Sequence, residues 1–395
     1  MYTIPLPKSN PVSIDKLHPI SLLPVISKLF ERHILHHSLS YFTNFIHTDQ
    51  YGFMPNSSTS ACLIHLQDCV TNLLDLPQIK NVSIVSFDLQ KAFDTVPHQI
   101  LIQKLSTFLP QSFLTTFESF LMNRHQQVKI KDTISHSIPI TSGVPQGCIL
   151  SPILFNVIIN DLTFGNDSYT FKYADDTTVV IAHKDADVAE RIGGIIDKMT
   201  IWCKTNRLVL NFSKTQIMTI NPNSTLNLHP NNQSNIKLLG VVFNCRLKWD
   251  DHIDTIVKRA SRKLYILYSL KNVVGKKELI ILYKSLIESI INYCSCLFIY
   301  LPHHLERKLL KLYKRCHYVI CHQTCENACI HPPSHIRTTS AIKFFIKSSQ
   351  NEQHAINPII PQRMPASKKI CQPFSKTNRR KLAFIPTITE ILNNL

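Results

Sequence analysis

Residues 82–88 read VSIVSFD, and residues 168–182 read SYTFKYADDTTVVIA. Both stretches are short, apolar and β-branched, which predicts buried strands. Acidic residues are depleted from strands, yet the first stretch ends on Asp88 and the second is interrupted by Asp175 and Asp176. An unpaired buried carboxylate is costly, so these charges need a turn into solvent, a basic partner or a metal ion.

The two acid-bearing strands favour a metal site only when they are considered together. For Asp175 and Asp176 alone a β-turn is the simpler interpretation, because Asp suits turns. If the two strands pair in one sheet, Asp88 joins them, and converging carboxylate oxygens are ligands for Mg²⁺. Two Mg²⁺ ions roughly 3.5–4 Å apart activate an attacking hydroxyl and stabilise a leaving pyrophosphate.

The rest of the chain predicts a mixed β/α middle and a helical end. Strand, helix and strand-turn-strand in this order indicate a small antiparallel sheet backed by helices, an α+β fold. The expected helices cover about 17–46, 59–75, 97–122, ILFNVIINDL after Pro152, 186–206 and the region from Asp251 onward; the further expected strands are a hairpin over 125–141 and the pieces LVLNF, TQIMTI and IKLLGVVF.

Basic residues are concentrated in the last two fifths of the chain. Residues 1–244 carry 18 Lys and Arg against 17 Asp and Glu, whereas residues 245–395 carry 25 against 9. A segregated basic lobe is typical of proteins that bind polyanions, because neutralised phosphates release counterions. The apolar fraction of 44% excludes a wholly disordered chain, and 395 residues suffice for two or three subdomains.

The cysteines and apolar stretches predict an intracellular protein, of the cytoplasm, the nucleus or both. The twelve cysteines are dispersed and no secretory signal opens the chain. The longest apolar stretch, about 287–301, is interrupted by polar residues and predicts a buried helix, so no membrane is expected. The run from Cys316 to His335 has zinc-ligand residue types, but its Cys-x4-Cys-x3-Cys-x3-Cys spacing fits no zinc ribbon or knuckle. We favour core cysteines over zinc there.

Five motifs follow one another along the chain: FDLQKAFDTVPH (87–98), SGVPQGCILSPILFNVIINDL (142–162), YADD (173–176), LNFSKT (210–215) and LLGVVF (238–243). They resemble the polymerase motifs of reverse transcriptases, in particular those of non-LTR (LINE-like) retrotransposons. HPISLLPVISKLFERHI (18–34) and QYGFMPNSST (50–59) resemble the fingers region of that family, although His18 and Met54 stand where Arg is common. The resemblance spans about residues 4–300.

The resemblance implies a right-hand polymerase with an antiparallel palm sheet backed by helices, helical fingers and a helical basic thumb. The implied domains are fingers over 1–80, a palm over 81–250 with inserted fingers elements at about 97–140, a thumb over 251–325 and a basic, partly disordered extension over 326–395. Complete elements usually carry an endonuclease ahead of the polymerase, and this chain starts almost at the fingers, so we expect a truncated retrotransposon.

The resemblance also assigns site residues. Asp88, Asp175 and Asp176 would be catalytic and would hold two Mg²⁺ ions, a role that Mn²⁺ can also fill, with the carbonyl of Leu89 as a further ligand. Lys214 is a candidate general acid for the pyrophosphate, and a solvated lysine at a strand edge is an equally good interpretation. The nucleotide-binding residues would be Phe93, whose ring would exclude a 2′-hydroxyl, Gln146 and Gly147. The template- and primer-binding residues would be Gly143, Pro145, Leu239, Gly240, Val241, Lys258, Arg259, Arg262 and Lys263.

The expected function is an RNA-directed DNA polymerase that extends the 3′-hydroxyl of a DNA or RNA primer with dNTPs on an RNA template. The alternative is a catalytically weak retrotransposon remnant that binds nucleic acid through its basic C-terminal lobe. An RNA-templated RNA polymerase of related palm fold is disfavoured by Phe93. Contacts to the template–primer hybrid are expected mainly at phosphates, because a polymerase must accept any sequence.

Overall fold

A computed structural model describes residues 2–7, 17–184, 188–220, 228–321, 330–362, 364 and 369–394. Helices and strands are mixed along the chain, which confirms the α+β prediction. The strands are β1 (Tyr2–Pro7), β2 (Leu17–Leu22), β3 (Asn81–Phe87), β4 (His125–Ile130), β5 (Thr133–Ile134), β6 (Ile138–Pro139), β7 (Ser168–Tyr173), β8 (Asp176–His183), β9 (Gln216–Ile220), β10 (Asn235–Leu238) and β11 (Val241–Asn244). The helices are α1 (Val25–Phe45), α2 (Thr59–Asp75), α3 (His98–Ser106), α4 (Gln111–Leu121), α5 (Ser151–Ile159), α6 (Val188–Thr205), α7 (Asp250–Leu270), α8 (Lys276–Tyr283), α9 (Ser289–Asn292), α10 (His303–Cys321), α11 (Pro333–Ser349), α12 (Asn378–Lys381) and α13 (Phe384–Asn393).

The chain forms two compact units. The first comprises Met1–Ser57, Ser86–Val179 and Glu190–Thr215, and the second comprises Ser58–Val85, Val180–Ala189 and Gln216–Leu395. Strands β3 and β8 each begin in one unit and end in the other.

A five-stranded sheet in the first unit has the order β2-β1-β4-β5, with β6 also paired to β4. Strands β1 and β2 are antiparallel, with Tyr2 opposite Leu22 and Pro7 opposite Leu17, and β1 runs parallel to β4. The alternating sequence 125–141 predicted the hairpin, and β4, β5 and β6 confirm it. The strands β1 and β2 were not predicted, because the prolines near them obscure any period of two.

The strands that carry the acidic residues lie in a four-stranded sheet of order β7-β8-β3-β9. Strands β7 and β8 are joined by the two-residue turn Ala174–Asp175, which makes them an antiparallel hairpin. The expected pairing of the two acid-bearing stretches in one sheet is therefore confirmed, since β3 is the neighbour of β8.

Helix α5 is the buried helix of the first unit. Its apolar residues, Ile153 to Phe155 and Val157 to Ile159, are at most 3% exposed. A helix that is apolar on all sides is stable only when protein surrounds it, and each large side chain buried in this way contributes about 1.5–3 kcal/mol. Phe155 is also stacked on Phe93, with ring centroids 4.7 Å apart. Helix α5 therefore packs against the segment after β3 that contains Phe93.

The second unit is mainly helical. Helix α7 forms in the helical region expected from Asp251 onward and packs against α10. The buried residues of its apolar face include Ile253, Ile256, Ala260, Leu264 and Leu267. Strands β10 and β11 form a separate hairpin whose turn is Leu239–Gly240. The IKLLGVVF piece is therefore two strands and not one.

The C-terminal stretch is folded where the structure describes it, which differs from the expected partial disorder. Helices α12 and α13 pack onto α2. The buried guanidinium of Arg380 pairs with the buried carboxylate of Asp68, and Asp75 accepts hydrogen bonds from the backbone of Lys376 and Thr377. Helix α13 buries Phe384, Ile385 and Ile388.

Four other predictions need correction. The predicted helix over 97–122 is two helices, because Pro110 ends the run. The piece LVLNF forms no named strand, only a bridge from Leu210 to Leu89. The apolar stretch near 287–301 leaves the helix after Asn292, since Cys294 has a positive φ of 50°.

No helix in the described ranges has the length and apolarity that crossing a bilayer requires.

The fourth correction concerns the helix expected over about 17–46, because its first residues form β2 (Leu17–Leu22) and α1 begins only at Val25. In α1, the apolar residues Ile26, Leu29 and Phe30 are more than half exposed. The buried residues are instead Glu31, Ile34, Ser38 and Phe42. Glu31 is drawn inward because its carboxylate has backbone N–H groups to bind, as described below.

Candidate active site

Asp88 stands immediately after β3 and is held by the segment that follows α6. The backbone N–H of Asn211 donates to the carbonyl of Asp88 at 2.8 Å, and Leu89 bridges to Leu210. This pairing places two donors on one carboxylate oxygen: Asn211 Nδ2 and Lys214 Nζ are each 3.1 Å from Asp88 Oδ2. The segment from Leu208 to Lys214 therefore places Asn211 and Lys214 against the Asp88 carboxylate.

The other two acids lie at the β7–β8 turn. Asp175 is the second turn residue and Asp176 is the first residue of β8. Loss of hydration, followed by the charges of Asp175 and Asp88, raises the pKa of Asp176 to about 6, and Lys214 acts in the opposite direction. The Asp176 side chain keeps an exposed surface. The three predicted carboxylates and Lys214 are thus close enough to interact electrostatically.

The carboxylates fit a hard divalent cation by donor type. Oxygen ligands suit Mg²⁺, and a cation would relieve the repulsion that raises the pKa of Asp176. In the described part of the chain, no three His, Cys, Asp or Glu side chains form a ready coordination shell. A Mg²⁺ site does not require three protein ligands, because this ion is usually held by one or two carboxylates together with waters and substrate phosphates. The predicted ligands, including the Leu89 carbonyl, stay a prediction.

The hairpin turn is fixed by Gln50 and Gly52, which lie in the fingers-like segment 50–59 but were not predicted as site residues. Gln50 is 5% exposed, and its Oε1 accepts hydrogen bonds from Ala174 N at 3.2 Å and from Gly52 N at 2.8 Å. Gly52 lies so close to the turn that a Cβ atom there would be 2.2 Å from Ala174 N. Any side chain at position 52 would displace the turn that carries Asp175.

A buried ion pair holds the strand that leads into the turn. Lys172 of β7 is fully buried, and its Nζ lies 3.0 Å from Asp49 Oδ2 and donates to the carbonyl of Asn160 at 3.3 Å. Backbone bonds join the same segments, from Lys172 N to Asp49 O and from Tyr51 N to Lys172 O. Burial lowers the pKa of Lys172, and Asp49 acts in the opposite direction. The only sequence signal was a lysine inside an apolar strand.

The predicted nucleotide loop packs on the segment after Asp88. Gly143 has a φ of +89°, and a Cβ atom there would be 2.6 Å from Asp94 O, so only glycine fits. Its carbonyl accepts a bond from His98 Nε2 at 2.8 Å. Gln146 donates from Nε2 to Asp94 Oδ1 at 2.9 Å. Gln146 is therefore already oriented, and Asp94 is a positioning partner that the sequence did not reveal.

The neighbouring residues complete this loop. Pro145 is buried and its carbonyl accepts from Ser151 Oγ at 2.7 Å, whereas Gly147 is exposed with a φ of +98°. Glu31 of α1 accepts from Ile149 N at 2.6 Å and from Leu150 N at 3.2 Å, at the start of α5. A carboxylate at a helix N-terminus is favourable, because the first N–H groups of a helix lack partners.

Phe93, the predicted sugar gate, lies half-buried between two other rings. Its ring is stacked on Phe155 and meets Phe53 edge to face, with centroids 6.5 Å apart. Its carbonyl accepts from Val144 N at 2.7 Å, which ties it to the nucleotide loop. The ring therefore has one fixed orientation and a partly open surface.

The remaining predicted residues belong to the second unit. Leu239 and Gly240 form the β10–β11 turn with φ values of 44° and 88°, and Val241 begins β11. Tyr293 donates from its hydroxyl to Leu239 O at 2.7 Å. The four predicted thumb cations, Lys258, Arg259, Arg262 and Lys263, are all exposed on α7.

Of the Cys/His run, residues 322–329 lie outside the described residues, and burial raises the pKa of Cys316 to about 12.

The family is shown by comparison with known proteins. Residues 6–243 match the family described as reverse transcriptase (RNA-dependent DNA polymerase), which is more than half of the chain. The chain therefore belongs to the reverse transcriptase family.

The relatives place it within that family. It is 30% identical over 292 residues to the probable RNA-directed DNA polymerase from transposon BS of Drosophila melanogaster, covering 67% of this chain and 31% of that protein. It is 29% identical over 267 residues to the RNA-directed DNA polymerase from mobile element jockey of the same species, covering 62% and 29%. These relatives support the resemblance to LINE-like, non-LTR reverse transcriptases, and the chain spans about a third of the length of the curated relatives it matches.

Solved structures give a more distant likeness. The apo telomerase from Candida Tropicalis is 13% identical, with a TM-score of 0.46, over 80% of this chain and 53% of that chain.

Proposed function

We propose that the chain is an RNA-directed DNA polymerase that extends a primer 3′-hydroxyl with dNTPs by two-metal-ion nucleotidyl transfer. The observation that carries this proposal is that β3, which leads into Asp88, lies next to β8, which begins at Asp176, while Lys214 Nζ lies 3.1 Å from Asp88 Oδ2. The raised pKa of Asp176, to which Asp175 and Asp88 contribute, supports the same grouping. Family membership supports the same chemistry.

In this proposal Asp88, Asp175, Asp176 and the Leu89 carbonyl hold the metal ions, which when bound activate the primer hydroxyl and stabilise the pyrophosphate that leaves. Lys214 is exposed enough to move between Asp88 and a triphosphate. Near the phosphates its ammonium group would neutralise charge or donate a proton to the leaving oxygen. Asn211 keeps a hydrogen bond to Asp88 when Lys214 leaves it.

The sugar preference would come from Phe93. A ring fixed by Phe155 cannot yield to an added 2′-hydroxyl, so deoxynucleotides fit and ribonucleotides clash. Gln146, held by Asp94, and Gly147 would contact the incoming nucleotide, while Gly143 and Pro145 shape the backbone that faces the template.

The right-hand architecture is part of the proposal. The four-stranded sheet would be the palm, the five-stranded sheet and α1 would belong to the fingers, and α7 to α10 would form the thumb. The β10–β11 turn, with Leu239, Gly240 and Val241, would grip a DNA or RNA primer. Lys258, Arg259, Arg262 and Lys263 would meet the phosphates of the RNA template–primer duplex, because each is a solvent-exposed cation on one helix.

A primer-extension assay tests the proposal. We expect the protein to extend a DNA primer on an RNA template in Mg²⁺ and dNTPs, and Asp175→Asn to abolish the product. Asp167→Asn is the matched control, since Asp167 is an exposed loop aspartate in the same unit. Nucleic-acid binding without extension by the wild type would instead support the catalytically weak remnant.

The sugar gate is tested in the same assay. Phe93→Val should raise incorporation of ribonucleotides relative to deoxynucleotides, because it removes the ring. Unchanged sugar selectivity would refute the role of Phe93. A wild-type preference for ribonucleotides would point to an RNA polymerase.

A further inference from the structure

Helix α10 has two faces of very different chemistry. Leu305, Leu309, Leu312, Cys316 and Val319 are buried on one face. That apolar face packs against α7 and α8. The opposite face is open to solvent, so its side chains do not pack in the core.

The open face carries a narrow basic stripe. Arg307, Lys311, Lys314 and Tyr318 are spaced i, i+4, i+7 and i+11, and all four are exposed. At 100° per residue this spacing keeps them within about 60° of one another around the helix, over a length of about 16 Å. Arg315 borders the stripe. Four cations and a tyrosine therefore form one continuous track, which we call the α10 stripe.

Asp250, Asp254 and Glu306 form ion pairs with residues outside the α10 stripe. His304 lies 2.9 Å from Asp250, and Lys308 lies 2.5 Å from Asp254, both on α7. Glu306, the acid in the first turn of α10, pairs with buried Arg337. Within the described ranges, no carboxylate forms an ion pair with the four cations of the stripe. Their charge is available for an external anion.

Aromatic rings lie along the cations. A cavity of about 440 Å³ lies beside the stripe. It is lined by Arg307, Lys311, Lys314 and Arg315 together with Leu310, Tyr318 and Tyr268 of α7. Tyr318 is 59% exposed and Tyr268 is 39% exposed. Tyr318 offers a flat face of the size of a base, whereas the ring of Tyr268 has Lys271 Nζ 5.7 Å from its centroid.

We propose that the α10 stripe binds single-stranded nucleic acid, with phosphates on the cations and an unpaired base on Tyr318 or Tyr268. Proteins that bind single strands without sequence preference combine a cationic groove with stacking rings. A duplex hides the faces of its bases, so rings within the groove favour a single strand. Its cations are different residues from Lys258, Arg259, Arg262 and Lys263, which the proposed polymerase uses for the template–primer duplex.

Charge neutralisation tests the cations. The full chain, in the Asp175→Asn form without dNTPs, is titrated with fluorescein-labelled oligo(U), and binding is followed by anisotropy at several salt concentrations. Lys311→Gln/Lys314→Gln should lower the slope of log affinity against log salt by about 1.4 and weaken binding about 20-fold at ~0.1 M salt. The matched control is Lys343→Gln/Lys347→Gln on α11, two exposed lysines without a tyrosine beside them, which should change neither value. Equal losses in the two double variants would overturn the proposal.

A tyrosine substitution tests the stacking. Tyr318→Leu should weaken oligo(U) binding about tenfold, and Tyr318→Phe should retain it, because stacking needs the ring and not the hydroxyl. An abasic oligonucleotide of equal length should bind both variants equally. If Tyr318→Leu weakens the abasic probe as much as oligo(U), or if a blunt RNA duplex competes as well as oligo(U), the single-strand assignment is wrong.

These measurements are independent of catalysis. They require no extension, so an inactive polymerase would leave the α10 stripe proposal standing. A chain that extends primers but shows no effect of the α10 variants on oligo(U) binding would retain the polymerase proposal and lose this one.

Discussion

Substitution of Gln50 should disturb the β7–β8 turn and leave the rest of the fold largely intact. Its side chain is buried, and one oxygen accepts two backbone N–H groups, one from the turn itself at Ala174 and one from Gly52. Gln50→Met keeps the length and nearly the volume of the side chain but has no strong acceptor. The substitution therefore removes two hydrogen bonds and little packing.

The magnitude follows from the two N–H groups left without partners. Each buried unsatisfied donor costs about 1–3 kcal/mol, so we expect the free energy of unfolding to fall by about 2–6 kcal/mol. The larger effect should be on catalysis, because Asp175 follows Ala174 directly in the turn. A misplacement of reacting groups of about 1 Å costs on the order of 100-fold in rate.

The assay pairs urea unfolding with single-turnover primer extension on the same preparation at saturating nucleotide. Gln67→Met is the matched control: Gln67 is also a buried amide, and its Nε2 donates to Leu297 O at 3.3 Å in the second unit. It should lose stability to a similar or smaller extent and keep the extension rate.

If Gln50→Met loses stability but extends at the wild-type rate, the turn is not positioned by Gln50. If both variants lose rate in proportion to stability, the rate loss reflects unfolding, and the positioning argument is refuted.

Three further predictions concern the fold. Asp49→Ala should cost about 3 kcal/mol in urea unfolding, because it leaves the fully buried Lys172 without its partner, and adding Lys172→Met should restore most of the loss; additive losses would contradict this. Burial, and secondarily Arg259, lowers the pKa of His252 to about 4, so the unfolded chain takes up this proton before the folded one. Stability should therefore fall between about pH 6.5 and 4, and His252→Phe should remove about 3 kcal/mol of that fall. Gly240→Ala should cost about 1–2 kcal/mol, because φ is +88° and the Tyr293 ring is 3.3 Å from the added Cβ, whereas Gly193→Ala, in a helix with open space around it, should stabilise the chain in thermal melts.

The strands and the acids at their ends could be predicted because they break a strong rule. A carboxylate in an apolar, β-branched stretch conflicts with burial, and Asp88, Asp175 and Asp176 were visible for that reason. Glycine positions were also predictable in part: Gly143 and Gly240 sit in turns with positive φ, where few other residues fit.

The partners of those residues could not be predicted from the sequence. Lys172 and Asp49 are 123 positions apart, and Gln50 lies in a stretch whose turn-forming composition hides its contact with Ala174. Local patterns contain no information about such pairings, which exist only after the chain has packed. Helix α1 shows the same limit, since Glu31 is inside because of the N–H groups of Ile149 and Leu150.

The piece LVLNF shows how a pattern can mislead. Its apolar residues predicted a strand, but only Leu210 bridges to Leu89, and the chain then turns at Phe212–Lys214. Leu208 and Leu210 are buried while Val209 is half exposed, so the alternation is real. The pairing ends because Asn211 and Lys214 bind the carboxylate of Asp88.

The most direct test of the central claim is localised cleavage by Fe²⁺ bound in place of Mg²⁺, with ascorbate and peroxide, followed by mapping of the cut sites. The claim that Asp88, Asp175 and Asp176 hold the metal predicts backbone cuts next to Asp88 and at the Ala174–Asp176 turn, suppressed by excess Mg²⁺ and lost in Asp88→Asn/Asp175→Asn. Cuts confined to other segments, or cuts that persist unchanged in the double variant, would contradict it.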